Sequence, residues 1–203
     1  MTLTVADLRG AIDRLTAAME REFDALNTAD GALGDGDLGV TMTRGMRAIS
    51  DLAPGLPDDL GQALLACAQA FTKTSGSSYG TLMATGLMSM AKTLRGRTGV
   101  EAGEISTLIA GARDAMQARG KAELGGKTVL DSLNAMAEAT AGLTSPTAVA
   151  AAAADSAKAA QEDMRGKIAT IGRARIFGEK TIGMDDPGML AMTAIVAAIA
   201  GQG

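Results

Sequence analysis

Apolar residues fall at steps of three and four along most of this chain, and that spacing limits the fold more than any other feature. Leu8, Ile12, Leu15, Met19, Phe23 and Leu26 mark a first amphipathic helix from about Val5 to Leu26, with Thr4 as its N-cap. Met42, Met46 and Ile49 mark a second, opening at about Leu38 or Gly39. Pro54 and Pro57 interrupt the chain, and a third helix from about Asp58 to Lys73 turns Leu60, Leu64, Leu65, Ala68 and Phe71 inward. The fourth carries Leu82, Met83, Leu87, Met90 and Leu94. The fifth carries Ile105, Leu108, Ile109, Ala112 and Met116 and is stopped by Gly120 at the position after its C-cap. Leu130, Leu133 and Met136 define the sixth. Ser145-Pro146 supplies the N-cap and N1 pair of a seventh, nearly all alanine from Ala148 to Ala160, and Asp186-Pro187 caps the last, which runs through Leu190, Ile195, Val196 and Ile199. Apolar residues make up 47% of the chain but aromatics only 2%, with Ala, Leu and 13 Met in their place, a mixture suited to close helix packing. The expected fold is all-α: about eight helices, no strand, and at 203 residues a single domain covering residues 1–203.

Several function classes drop out. A formal charge of −4, a pI near 4.9 and the lack of any Lys/Arg run offer no footprint for a nucleic-acid backbone. Cys67, the single cysteine, has no internal disulfide partner and sits on an apolar helix face as a small core residue. No basic-then-apolar leader precedes Ala6 and no apolar run is long enough to span a bilayer, so a cytoplasmic protein without membrane attachment is expected. The chain contains no histidine, which removes His nucleophiles, His general bases and His metal ligands. Any step requiring an imidazole must draw it from another polypeptide.

Three irregular stretches break the helical pattern. Asn27 to Thr41 holds three carboxylates, Asp30, Asp35 and Asp37, among four glycines. If this loop curls, as its glycines allow, the carboxylates repel one another unless a cation joins them. Hard oxygen donors suit Mg²⁺ or Ca²⁺, and Mg²⁺ completes its shell with water and phosphate oxygens. The second helix opening beside them would present free backbone N–H groups and the positive end of its dipole to a phosphate. By composition alone the same residues also read as a solvated Asp/Gly turn. Thr74 to Thr81 gathers hydroxyls and glycines before a helix, either as simple caps or for close approach to a phosphate or ribose. Gly172 to Gly188 is too long and glycine-rich for a tight connection, and its Arg173, Arg175 and Lys180 give it the character of a cationic lid. Gly125-Gly126-Lys127-Thr128 is not a P-loop, because Lys121 stands where the pattern requires glycine and no strand precedes it.

Four motifs in register then carry a resemblance: Asp30-x4-Asp35-Gly36-Asp37-x-Gly39; the Ser/Gly turn at 75 to 80; Arg119-Gly120-Lys121-Ala122 with Lys127-Thr128; and Gly172-Arg173-Ala174 with Gly178-Glu179-x2-Ile182-Gly183-x2-Asp186-Pro187-Gly188. Over essentially its full length the chain resembles the nucleotide-binding L subunit of dihydroxyacetone kinase. The resemblance implies a closed barrel of eight antiparallel helices with ADP or ATP at one end, bound through two Mg²⁺ ions. It assigns the metals to Asp30, Asp35 and Asp37. It assigns the phosphates to Leu38, Gly39, Val40 and Thr41, with Ser77 and Ser78 from the small-residue turn. Gly120 and Val129 border the nucleotide, Arg173 contacts it from the lid, and Asp186, Pro187 and Gly188 form the other wall.

The implied partner is a separate K subunit that holds a short-chain ketose through its own histidine, and the implied role of this chain is to carry the phosphoryl donor. A phosphotransfer protein, the M-type subunit, is a further implied partner. The alternatives are an ADP-holding phosphate relay or regulatory module, or the same role toward another ketose such as erythrulose. Leu38 and Met184 stand where the family often has histidine, and Gly126 where it has aspartate. These departures leave the carboxylate triad intact and mark a divergent branch.

Overall fold

The computed structural model describes residues 2–202. Among them are nine α-helices: α1 (Val5–Arg21), α2 (Phe23–Leu33), α3 (Leu38–Leu52), α4 (Leu60–Thr74), α5 (Ser78–Thr93), α6 (Ile105–Gly120), α7 (Val129–Thr140), α8 (Pro146–Met164) and α9 (Pro187–Ala200). The expected first helix is divided at Glu22, whose ψ of 1° tilts the axis while its N–H still bonds Ala18 and its carbonyl still accepts from Leu26. The second half runs on to Leu33, so Asp30 is a helical residue and the true loop is only Gly34 to Asp37.

The expectation of no strand is corrected by β1 (Thr2–Thr4) and β2 (Gly99–Glu101), an antiparallel pair with Leu3 opposite Val100. Three residues are too few for an alternating pattern to register. Gly99 is required there, since a Cβ would run into the Thr2 side chain. Gly120 closes α6 instead of following it. The left-handed turn falls on Lys121 (φ 50°), which leaves the Cβ-free Gly120 facing a cleft.

The helices form a ring. α1 packs on α3, each helix from α3 to α8 packs on its successor, and α9 returns to α1, with α2 laid against α3 and α9. The faces they bury are those set by the periodicity: Ile12 and Met19 from α1, Met42 and Met46 from α3, Leu64 and Phe71 from α4, Leu133 and Met136 from α7, Met192 and Ile195 from α9. Cys67 lies buried among them. Close approach depends on glycine at points of backbone contact: a Cβ on Gly61 would lie 2.5 Å from the Arg95 Cα and 2.6 Å from the Ala91 carbonyl oxygen. A cavity of about 690 Å³, almost wholly apolar, remains inside the ring.

Helix direction alternates around the ring: α3, α5, α7 and α9 begin at one rim, while α4, α6 and α8 between them end there, α6 with Gly120 in the cleft and α8 with Arg165 bonded to Lys127 and Gly183 beside the α7 and α9 starts. The opposite rim is tied off structurally. Arg9 donates to the Ala53 and Leu56 carbonyls beyond α3, and Arg14 to those of Ala198 and Ile199 at the end of α9. These guanidinium groups satisfy carbonyls that helix ends leave without partners. No helix among the described residues is long and apolar enough to cross a membrane.

Candidate functional site

The rim where four helices begin opens into a cleft of about 1020 Å³. Three of these N-termini, those of α5, α7 and α9, are capped by the side chain of their own N-cap residue. The Ser77 hydroxyl accepts from Gly80 N (3.1 Å), the Asp186 carboxylate from Met189 N (2.9 Å), and Thr128 forms a reciprocal box with Asp131, whose carboxylate accepts from Thr128 N at 2.8 Å. Four helix dipoles thus direct their positive ends at one opening, a field suited to an anion.

On one side of this opening stand the three aspartates. One carboxylate oxygen from each of Asp30, Asp35 and Asp37 lies within 4.8 Å of the others. The local chemistry explains the cluster: Asp30, on the last turn of α2, accepts from Asp37 N (2.9 Å) and Leu38 N (3.3 Å) and folds the loop back over itself. Gly36 takes φ 76° at the tip, and Gly34 leaves room for the Asp30 carboxylate, whose Oδ1 would lie 2.5 Å from any Cβ there. Desolvation, followed by the charges of Asp35 and Asp30, holds the Asp37 carboxyl above its usual range. Asp35 is held below its usual range by a hydrogen bond and ion pair with Arg173, which reaches across from the lid. Hard, clustered, mutually repelling carboxylate oxygens beside an anion-attracting rim fit a hard divalent cation.

Of the residues expected from sequence, Asp30, Asp35, Asp37, Leu38, Ser77, Ser78, Gly120, Val129, Arg173, Asp186, Pro187 and Gly188 all line this one cleft. Gly39, Val40 and Thr41 do not. Nor are the amides at the start of α3 free, as the sequence reading has them. Gly39 N and Val40 N donate to the Asn27 side-chain oxygen (2.8 and 3.3 Å), Leu38 N to Asp30, and Thr41 N to the Asp37 carbonyl (2.8 Å). Thr41 is buried and turned away from the cleft. The first residues of all four helices, Leu38, Ser78, Val129 and Pro187, reach the cleft, but with its amides engaged the α3 terminus contributes only its dipole and the carboxylates it holds.

Asn27 is a residue the sequence reading passes over. Its signal was a polar amide one turn after Phe23, just ahead of the aspartates. Tyr79 is another: its hydroxyl donates to the Gly188 carbonyl (3.0 Å) and bolts the α5 start to the α9 start, and burial raises its pKa.

The lid is more ordered than a bare loop. Ala174 to Thr181 forms 3₁₀ turns broken at Gly178 (φ 54°), and Ile171, Arg173, Ala174 and Phe177 line the cleft. Arg175 lines it too, and Ile176 is 77% exposed at its edge.

Asp186 gives a testable pH response. Desolvation is the main cause that pushes its carboxyl up to about 7, with hydrogen bonds from Met189 N and Gly188 N opposing. A folded-state pKa above the usual carboxylate value of about 4 favours folding of the protonated form. The stability it contributes is therefore present below about pH 4 and lost as pH rises through about 7. Asp186→Asn keeps the cap acceptor and removes the titration. Its melting temperature relative to the parent is expected to rise steadily between pH 4.5 and 8, and a difference that stays constant across that range contradicts the assignment.

A helical ring with a carboxylate cluster, converging helix N-termini and a cationic lid at one rim defines a class: an all-α protein with an acidic cluster and an anion-attracting rim side by side. More specifically, the chain belongs to the DAK2 domain family, whose profile matches residues 32–201. It is 29% identical over 211 residues to the PEP-dependent dihydroxyacetone kinase, ADP-binding subunit DhaL, of Escherichia coli K12, covering 97% of this chain and 99% of that one. It is 34% identical over 194 residues to the triokinase/FMN cyclase of Homo sapiens, covering 93% of this chain but 33% of that protein. The fold matches the dihydroxyacetone kinase from C. freundii, whose crystal structure is in complex with AMP-PNP and Mg²⁺, at a TM-score of 0.78 and 23% identity over all of this chain and 35% of that one. The chain thus spans about a third of the triokinase and of the C. freundii kinase, and nearly the full length of the E. coli subunit.

Proposed function

We propose that this chain is the adenine-nucleotide-binding subunit of a two-subunit kinase of the dihydroxyacetone type, folded as one domain and working in the cytoplasm. It would present a phosphoryl group to a short-chain ketose held by a K-type partner, with an M-type phosphotransfer protein as the further partner. The observation that carries the proposal is the meeting of three carboxylate oxygens within 4.8 Å at a rim where four helices begin and Arg173 reaches in from the lid. The E. coli and Lactococcus lactis relatives are ADP-binding subunits of dihydroxyacetone kinases, which gives the anion its chemical class.

Asp30, Asp35 and Asp37 would hold Mg²⁺, two ions by analogy with the family, and the metal would supply neutralisation of phosphate charge. The chain's own residues do the rest. Ser77 and Ser78 bring hydroxyls and first-turn amides to the phosphates. Gly120 and Val129, with no bulk or only a short apolar side chain, form a wall for the flat base and ribose. Asp186, Pro187 and Gly188 close the opposite wall, and Tyr79 keeps that wall in register with Ser77 and Ser78. The Arg173 guanidinium, already directed at the carboxylates, follows charge from Asp35 to phosphate and draws the lid over the site, which excludes water from the reacting group. Leu38 keeps the floor of the cleft apolar beside the triad, and with the α3 amides already engaged, phosphate is held there by charge alone.

Catalysis of this kind is positioning and electrostatics, and the acceptor must be oriented by another surface. The isolated chain with Mg-ATP and dihydroxyacetone is therefore expected to show no turnover. Adding a K-type subunit should raise the rate by about a hundredfold or more. Robust phosphorylation by the chain alone, followed by product formation, would overturn the two-subunit reading.

A further inference from the structure

Lys127 lies outside the machinery described above, yet its surroundings are built with unusual care. It is 1% exposed and adopts φ 61°, a left-handed conformation that is strained for a side-chain-bearing residue and persists only where neighbours enforce it. The enforcement is visible. Asp131 accepts from Gly125 N (2.5 Å) and Thr128 N (2.8 Å), which clamps the turn on both sides of Lys127 and drives its side chain inward.

There the ammonium donates to three backbone carbonyls: Thr181 (2.6 Å), Lys167 (3.1 Å) and Arg165 (3.3 Å). Three donors meet three acceptors, so the charge is fully hydrogen-bonded by backbone oxygens. The acceptors lie on the two strands of chain that lead into and out of the lid, residues 165–167 on one side and 181 on the other. Further bonds cross the same gap, from Ala169 N to the Thr181 hydroxyl (3.0 Å) and from Gly183 N to the Arg165 carbonyl (2.8 Å), and Thr170 N ties the incoming segment to the Gly126 carbonyl beside Lys127 (3.2 Å). Gly126 belongs to this contact, since a Cβ there would press on Ile171 Cγ1 at 3.1 Å and Thr170 Oγ1 at 3.3 Å.

We propose that Lys127 is a positioning residue for the lid: it pins both feet of the 170–180 segment and so fixes where Arg173 lands over the carboxylate cluster. The inference rests on the nucleotide reading for its effect on ligand, but not for its effect on the lid. With the feet held, only the span between them is free to open, and the Arg173 guanidinium returns to one place on closing. Without the ammonium, three inward-facing carbonyls lose their common donor, and the feet, left to the Ala169–Thr181 and Gly183–Arg165 bonds and the exposed Arg165–Asp185 pair, open more readily.

The test compares Lys127→Met with the parent by amide hydrogen exchange without ligand and by the rate of Mg-ADP release. The expected result is faster exchange confined to Ala169, Thr170 and Gly183, with the helical amides still protected, together with Mg-ADP release accelerated about tenfold. Parental exchange at those three amides, or an increase spread evenly over the helices with release unchanged, would overturn the proposal. Should Lys127→Met not fold, Lys127→Gln decides it. That variant keeps an inward polar donor but is too short to bond all three carbonyls at once. Faster release with intact helices then supports the pinned lid, and parental release overturns it. A parent chain that fails to bind Mg-ADP counts against the nucleotide reading alone, and the three amides still decide the role of Lys127.

Discussion

Asp35→Asn is expected to abolish the Mg²⁺-dependent stabilisation of this protein by ADP while leaving the nucleotide-free protein almost unchanged. A ligand that binds only the folded state stabilises it by RT ln(1 + [L]/Kd), about 2.7 kcal/mol at one hundred times Kd. In a domain of this size that corresponds to a rise in melting temperature of roughly 5–10 °C. The asparagine retains one oxygen but loses the charge that a hard cation requires and that Arg173 pairs with. Asp35 is 48% exposed and lies in a loop away from every apolar face, so its loss should leave the helical circular dichroism intact. A variant that keeps the full Mg-ADP shift would remove the carboxylate cluster as the metal site and restore the solvated-turn reading of the loop.

Gly39→Ala is expected to destabilise the fold itself, by about 2 to 3 kcal/mol, read as a fall in melting temperature of roughly 5–10 °C. α3 begins so close to α2 that a Cβ on Gly39 would collide with the Phe23 carbonyl oxygen and lie 2.8 Å from the Asn27 side-chain oxygen. Backbone cannot swing aside as a side chain can, so the two helices must part. Parting them also breaks the paired bonds from Gly39 N and Val40 N to Asn27 and shifts Asp37, the next residue but one toward the loop. The variant should therefore lose metal-dependent nucleotide affinity together with stability. Unchanged melting would show that α2 and α3 yield without cost, and that the loop does not depend on their close approach.

The two variants separate what the sequence carried plainly from what it did not. Helices were legible because each must bury one face, and a single face repeats every three or four residues, as Leu8, Ile12, Leu15 and Met19 do. The carboxylates were legible because Asp30, Asp35 and Asp37 are close in the chain as well as in space. The break at Glu22 left no trace, since the apolar spacing continues through Phe23 and Leu26 and the hydrogen-bond ladder bends without stopping. The status of the α3 amides was equally hidden. Whether a helix terminus is free depends on what faces it, and Asn27 reaches it from another helix. Lys127 was visible only as part of a failed P-loop pattern, because its three acceptors are backbone carbonyls 38 to 54 residues away, and backbone carbonyls carry no sequence signature.

The central claim is that carboxylates, helix N-termini and lid bind one adenine nucleotide through a divalent cation. Isothermal titration of the parent chain with ADP, in Mg²⁺ and again in excess chelator, tests it most directly. The account predicts saturable binding near one nucleotide per chain with Mg²⁺ and its loss on chelation. Binding of equal strength in chelator, or none at millimolar ADP with Mg²⁺ present, would contradict it.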